Sequence, residues 1–307
     1  MDQNGAIPSL AVQVVLFEHQ LRSIEKLAAS LGPAIARVRH DALIGEVSVL
    51  MGDSSPEPAL TDGEVESLRT SLVAAGVHRF DYFFFARNRG SAGGNNDLFA
   101  EAESDLVAII NPDCYADPRL LAELCRGMDD AVIGIVEGRQ LPLEHPKEFD
   151  RQTGDTSWAS GACMLVRREV IMCTGGFDEA NFFMYCDDVD FSWRTRLAGY
   201  RVVYQPTARV FHDKRLDPQG QVEAGEAEVY FSAEAALMMA WKYARPDLVE
   251  KWSAGLVASG LPAHAKAVEA FEERRARGDL PQPLDPEGHV AQFVGYNYAA
   301  HRFLYDE

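Results

Sequence analysis

Four times within the first 113 residues, a short apolar run of strand length is followed by a polar turn. The runs are 10–17 (LAVQVVLF), 47–51, 80–86 and 106–110. Their length and β-branched content predict buried strands. Helical periodicity separates them. In 20–31, Leu21, Ile24, Leu27, Ala28 and Leu31 share one face, and Gly32-Pro33 is expected to stop the helix. Residues 64–75 form a second helical stretch, closed by Gly76. A glycine-rich loop over 88–96 then leads into a third helix ending near Ser104. This β-α-β rhythm predicts an α/β fold, a mostly parallel central sheet with helices on both faces. Such sheets bind ligands at the carboxyl ends of their strands. The polar clusters fall there: Glu18, Asp53, Asn88 and Asp113.

Farther along, 118–129 predicts a helix, 131–136 a strand, 138–157 a loop with Pro142 and Pro146, and 160–166 a strand. Residues 187–198 predict a helix with Asp187 or Asp188 near its N-cap and Gly199 at its C-cap. Short strands follow at 201–204 and 208–211. Beyond residue 220 the pattern is helical, over 223–244, 247–259 and 262–277, then a Pro/Gly-rich loop over 278–288. This divides the chain into 1–220, carrying the α/β domain, and a helical extension over 221–307. Met238, Met239, Trp241 and Tyr243 share one of those helices; core packing is the simplest reading. A cover for an acceptor cleft, a homodimer face or a membrane contact are the alternatives, the last disfavoured because the helix is not strongly basic. The terminal aromatics Phe293, Tyr296, Tyr298, Phe303 and Tyr305 could pack on the body or on a partner.

The net charge of −18 repels phosphate over most of the surface and argues against nucleic-acid partners. A small anionic substrate would need a local device, such as a divalent cation held by carboxylates. Five cysteines, an odd number without CxxC spacing, suggest neither a disulfide framework nor a zinc site, and fit a reducing cytoplasm. No leader-like N-terminus is expected. No apolar run approaches the roughly 20 residues of a membrane span. Any membrane contact would then be peripheral, at the inner face.

Four segments carry chemistry. Asp53-Ser54-Ser55 can accept hydrogen bonds from a nucleoside, or can simply cap a turn. The glycines of 88–96 allow close approach of a ligand to the backbone, with a helix N-terminus behind. Asn111-Pro112-Asp113 ends a buried strand, where a carboxylate can hold Mg²⁺ or Mn²⁺ against a diphosphate. The densest segment is 175–190, ending Cys186-Asp187-Asp188-Val189-Asp190. Asp190 and Arg194, at i, i+4, support the helix, with Trp193 and Leu197 on its buried face. Asp187 and Asp188 remain at its start, where the dipole favours ionised carboxylates and a general base is well placed.

The runs NRGSAGGNN (88–96), INPDC (110–114), SGACMLVRR (160–168), GGFDEANFFMYCDDVDFSWRTRLAGYRV (175–202) and VFH (210–212) resemble, in order and spacing, the family 2 glycosyltransferases, on the rhamnosyl- and galactofuranosyl-transferase-like branch. The likeness covers roughly residues 10–215. It implies a GT-A fold, a nucleotide-sugar donor, a glycan, lipid-linked or small-molecule hydroxyl acceptor, a divalent metal and inversion at the anomeric carbon. By position, it implies that Asp53 contacts the nucleobase and that Asn88, Gly90, Asn95 and Asn111 lie near the nucleotide or its sugar. It further implies that Asp113 and His212 ligate metal, that Asp188 is the base with Asp187 beside it, and that Trp158 and Gly161 border the acceptor. The chain departs from the family at Asn111, which removes one charge from the DxD motif, and at Asp187, where Glu is frequent. Phe17-Glu18-His19 also replaces the usual small polar pair. Two rival readings are a catalytically inactive nucleotide-binding module and an NAD-linked enzyme, the latter disfavoured by the missing GxGxxG after the first strand.

Overall fold

The computed structural model describes residues 7–144, 148–214 and 224–293. Its centre is an eight-stranded sheet: β1 (Leu10–Leu16), β2 (Val47–Asp53), β3 (Arg79–Phe84), β4 (Leu106–Ile110), β5 (Cys114–Ala116), β6 (Ile133–Leu141), β7 (Cys163–Arg167) and β8 (Arg201–His212). The strand order is β3-β2-β1-β4-β7-β6-β8-β5. β3, β2, β1 and β4 are mutually parallel, whereas β7 runs against β4 and β6, and β5 against β8. The order reverses between β1 and β4, the kind of switch point at whose carboxyl ends ligands bind in such sheets.

Three apolar clusters hold the helices to the sheet. On one face, Leu27, Leu31 and Ile35 of α1 (Leu21–His40), Leu68 and Leu72 of α2 (Asp62–Ala74) and Leu120 and Leu124 of α4 (Leu120–Gly127) pack on Val12, Val14 and Val49. On the other, Leu98 and Phe99 of α3 (Gly90–Glu101), Val170 of α5 (Arg168–Thr174) and Phe191 of α6 (Asp187–Leu197) pack on Ala11, Ile109 and Met164. The third joins Val189 and Trp193 of α6 to Met238 and Met239 of α7 (Glu226–Lys242), Leu248 of α8 (Pro246–Ala258) and Phe271 of α9 (Pro262–Arg277). Met238, Met239 and Tyr243 are therefore core. The aromatics 296–305 and Pro146 lie outside the described residues.

Several expected boundaries move. Helix α1 runs through Pro33 to His40, because its apolar stripe continues over Ala34, Ile35 and Val38, all fully buried. That burial outweighs the hydrogen bond a proline removes. The expected loop over 88–96 is helical from Gly90 onward. The loop expected at 138–157 begins as strand, since β6 runs to Leu141. The two short strands at 201–211 are one, β8, with an irregularity opposite Gly138 and Arg139. Leu197 is 40% exposed and lies off the buried face of α6. Among the described residues, no helix is long and apolar enough to cross a membrane. All five cysteines are free.

Candidate functional site

The carboxyl end of β4 and the far end of β8 meet through β5. Cys114 pairs with His212 across β5 and β8, and Asp213 donates its backbone N–H to the Asp113 carbonyl at 2.9 Å. The Asp113 carboxylate thereby lies 3.2 Å from His212 Nε2. Gln140, at the end of β6, accepts from His212 Nδ1 at 2.7 Å and turns Nε2 toward the carboxylate. An outer partner of this kind orients a ligating imidazole. Burial works against ionisation of Asp113, but the hydrogen bond and charge of His212 prevail and hold its carboxyl below the usual range. Asp113, Cys114 and His212 bring three potential ligand atoms within 4.8 Å of one another. The Cys114 thiol is fully buried, which pushes its pKa far up and keeps it a neutral thiol. The donor set is thus one carboxylate and one imidazole, with the Asp113 side chain 40% exposed. An O/N pair open on one side suits Mn²⁺ or Mg²⁺ shared with a phosphate.

Helix α6 supplies the second part. Its entry is unusual: Tyr185 and Cys186 both have positive φ, 66° and 54°. Asp187 is buried and Asp188 half-buried. Asp188 Oδ2 accepts from Gly161 N at 2.8 Å and Oδ1 from Val189 N at 2.8 Å. Gly161 precedes Ala162, whose carbonyl accepts from Asn111 N at 2.9 Å. Asp188 is therefore tied through 161–162 to the segment that carries Asp113. Burial, then the charge of Asp188, pushes the Asp187 carboxyl well above the carboxylate range, against an opposing hydrogen bond from Ser91. Ser91 links this pair to the start of α3.

The remaining expected residues are placed as follows. Asp53 is fully buried, its carboxylate accepting from Ser55 N at 2.9 Å, Ala59 N at 2.7 Å and the Tyr82 hydroxyl. Those bonds anchor the turn after β2, the alternative its sequence also allowed. Asn88 is exposed and accepts from Gly90 N at 2.9 Å, forming the turn into α3. Gly90 has φ of 63°, and a Cβ there would meet the Phe183 carbonyl at 2.2 Å. Asn95 is buried; it donates to Ser91 O at 3.0 Å while its Oδ1 has no hydrogen-bond partner among the described residues. Trp158 is 4% exposed and belongs to the third cluster, because its large ring packs with Phe182 and Trp193. It can border an acceptor only through its neighbours, whereas Gly161 is half-buried.

Of two further residues at the site, His19 stands out in the sequence only as part of a departure from the family pattern, and Gln140 not at all. His19 accepts from Phe17 N at 3.1 Å, and burial lowers its pKa against the opposing charges of Asp113 and Asp53. Its place just after β1 was the available signal. Gln140 was hidden by the loop expected over 138–157.

The profile of Glycosyl transferase family 2 matches residues 50–175. That span carries Asp53, 88–96, Asp113 and Gly161, and stops short of Asp188 and His212. The N-acetylglucosaminyl-diphospho-decaprenol L-rhamnosyltransferase of Mycobacterium tuberculosis is 30% identical over 208 residues, covering 66% of this chain and 63% of its own. Rhamnosyltransferase WbbL of Escherichia coli is 39% identical over 170 residues, covering 46% and 62%. The chain thus spans less than two thirds of the length of either relative. A mannosyltransferase from Pyrobaculum calidifontis, solved with GDP-Man and Mn²⁺, superposes with a TM-score of 0.56 at 17% identity, over 88% of this chain and 81% of that one. The matched profile, these relatives and the shared architecture place the chain in glycosyl transferase family 2, with a GT-A fold.

Proposed function

We propose that the chain transfers a sugar, with inversion, from a nucleotide-diphosphate donor to a hydroxyl acceptor. The observation that carries this reading is the linked pair of contacts: Asp113 and His212 3.2 Å apart, and Asp188 bonded to Gly161, whose neighbour Ala162 is bonded to Asn111. The similarity to rhamnosyltransferases favours a dTDP-rhamnose or other nucleotide-sugar donor and a glycan or lipid-linked acceptor. The mannosyltransferase with the same fold was solved in complex with GDP-Man and Mn²⁺, which favours a divalent cation here.

In this reading Asp113 and His212 would hold the cation, with Gln140 fixing the imidazole. Bound there, a divalent ion neutralises charge on the departing diphosphate. The turn at Asn88–Gly90 and the start of α3 shape the donor side. Asp188 accepts the proton of the acceptor hydroxyl as that oxygen attacks the anomeric carbon. Its two backbone N–H donors hold the carboxylate in place. Asp187, its carboxyl pushed up to about 7 by burial and by the charge of Asp188, carries less than a full second charge beside it near neutral pH.

The test is a thermal-shift panel of nucleotide diphosphates with and without Mn²⁺, paired with transfer assays from dTDP-rhamnose and UDP-sugars. The right nucleotide should raise the melting temperature by mass action. Asp188→Asn should keep that shift and lose turnover by about 10²–10⁴-fold. Asp113→Ala should lose the metal-dependent part of the shift. Normal turnover in the Asp188 variant, or an unchanged metal response in the Asp113 variant, would refute the assigned roles. Nucleotide binding without any transfer or donor hydrolysis would favour the inactive-module reading.

A further inference from the structure

We propose that the loop 182–186 and the first turns of α7 form a wall that binds a sugar ring of the acceptor; the inference rests on the glycosyl-transfer reading above. The rings of Phe183 and Phe231 stack with centroids 4.7 Å apart at 28°. Tyr230 meets Phe231 edge-on at 5.0 Å. Beside them the Tyr185 hydroxyl donates to Glu228 Oε1 at 3.2 Å. All five side chains retain exposure, and Tyr185 is 36% exposed.

The backbone explains why these groups lie together. Two successive residues bearing a Cβ, Tyr185 and Cys186, adopt left-handed φ, a costly conformation outside glycine. Starting a helix does not require it, since an ordinary N-cap is extended. Its effect is to drop Cys186 into the core at 4% exposure and to turn Tyr185 outward over Glu228. Tyr185 precedes Asp188 by three residues, at most roughly 11 Å along the chain. The same loop reaches the donor side, because the Phe183 carbonyl accepts from Ala92 N at 3.5 Å and leaves no room for a side chain at Gly90. The wall therefore joins the donor segment at Gly90 to the loop that leads directly into Asp188, the proposed proton acceptor.

The chemistry of the wall selects its occupant. A hexose has an apolar C–H face and a rim of hydroxyls. Aromatic faces edged by a carboxylate and a phenol match both. Glu228 accepts from the Tyr185 hydroxyl on Oε1 and from the Gly225 N–H on Oε2 at 2.6 Å. The lone pairs that remain on the carboxylate can accept from sugar hydroxyls; a hydrocarbon tail offers them nothing, and a phosphate would be repelled by the charge.

Saturation-transfer NMR on the full chain tests this with four probes: octyl glucoside, octyl galactoside, octyl mannoside and octyl N-acetylglucosaminide. Titrations with UDP and dTDP plus Mn²⁺ run in parallel. At least one probe should receive saturation on its ring protons. Tyr185→Ala and Phe231→Ala should weaken that probe about tenfold each and leave nucleotide affinity unchanged. Tyr185→Phe should recover part of the loss by restoring the ring. Saturation confined to the octyl chain, no binding of any probe, or unaltered affinity in both alanine variants would overturn the wall. A wild-type chain that binds a hexoside here yet transfers no sugar would count against the reaction and leave the wall standing. Sugar transfer with both variants binding as before would count against the wall alone.

Discussion

Asp187 and Asp188 are neighbours in sequence, yet their surroundings separate their roles. Asp188 is half-buried and holds two backbone N–H donors. Asp187 is 5% exposed and sits beside the charge of Asp188, so burial first and repulsion second raise its pKa. The sign of the linkage follows. Below the unfolded carboxylate pKa both states are protonated, and the raised value costs nothing. As pH climbs from there toward the folded value, the unfolded chain ionises first, and the fold loses stability until Asp187 ionises too. An amide at this position has no such penalty. Asp187→Asn should therefore leave stability unchanged near pH 4 and raise it at pH 8 by about 1–3 kcal/mol. Urea denaturation at the two pH values measures this, and an equal change at both would refute the linkage. That the acidic run at 187–190 is functional was legible from its density. Which aspartate is raised was not, because the answer depends on how deeply tertiary packing buries Asp187, which outweighs the opposing hydrogen bond from Ser91, some hundred residues earlier in the chain.

Among the elements, α3 shows best what a sequence conceals. Its glycines have the composition of a loop, and 88–96 was expected to be one. They are helical because the helix lies against β1 and the 177–183 loop too closely for side chains. A Cβ on Gly94 would stand 2.7 Å from Val15 Cγ1, and one on Gly93 2.8 Å from Glu179 Oε2. Gly63, in the first turn of α2, has no neighbour within 4 Å. The same substitution should therefore act oppositely at two helical sites. Gly63→Ala should stabilise by about 0.4–1 kcal/mol through the unfolded chain. Gly94→Ala should destabilise, because overpacking against a stiff β-branched residue costs about 1–3 kcal/mol and exceeds the propensity gain. Denaturant midpoints of the two variants decide it; stabilisation at Gly94 would show that α3 is free to move. Pro33 teaches the converse, since a local stop signal yields to three buried residues beyond it. The four parallel strands and their polar ends were readable because they depend on local pattern. The Asp113–His212 contact joins residues 99 apart through β5, a three-residue strand with too few positions to show a period.

Across the whole molecule, the helical extension and the α/β body share one core. Trp158, Phe182, Val189 and Trp193 from the body pack with Met238, Met239, Tyr243, Leu248 and Phe271 from the extension. The polar seam is equally mutual. Lys242 of α7, 3% exposed, places its ammonium 2.5 Å from Asp178 and 2.6 Å from Asp190, which is fully buried. Asp190 also takes Arg194 at 2.7 Å and the Tyr243 hydroxyl at 3.0 Å. The i, i+4 pair read as helix support is thus one arm of a junction that fixes α6, and with it Asp188, against α7. Removing one partner of a buried charge costs more than the pair contributes, because the other charge is stranded. Lys242→Met should accordingly cost about 3–5 kcal/mol in urea denaturation. A chain cut after residue 214 goes further, uncovering Trp158, Phe182 and Trp193 and taking both Lys242 and Tyr243 from Asp190. It should show no cooperative melting transition by calorimetry, since the apolar surface it exposes belongs to the same cluster that seats α6. A fragment that melts cooperatively at the temperature of the full chain would establish that the α/β part folds alone, and that α6 is set by the sheet rather than by the helices behind it.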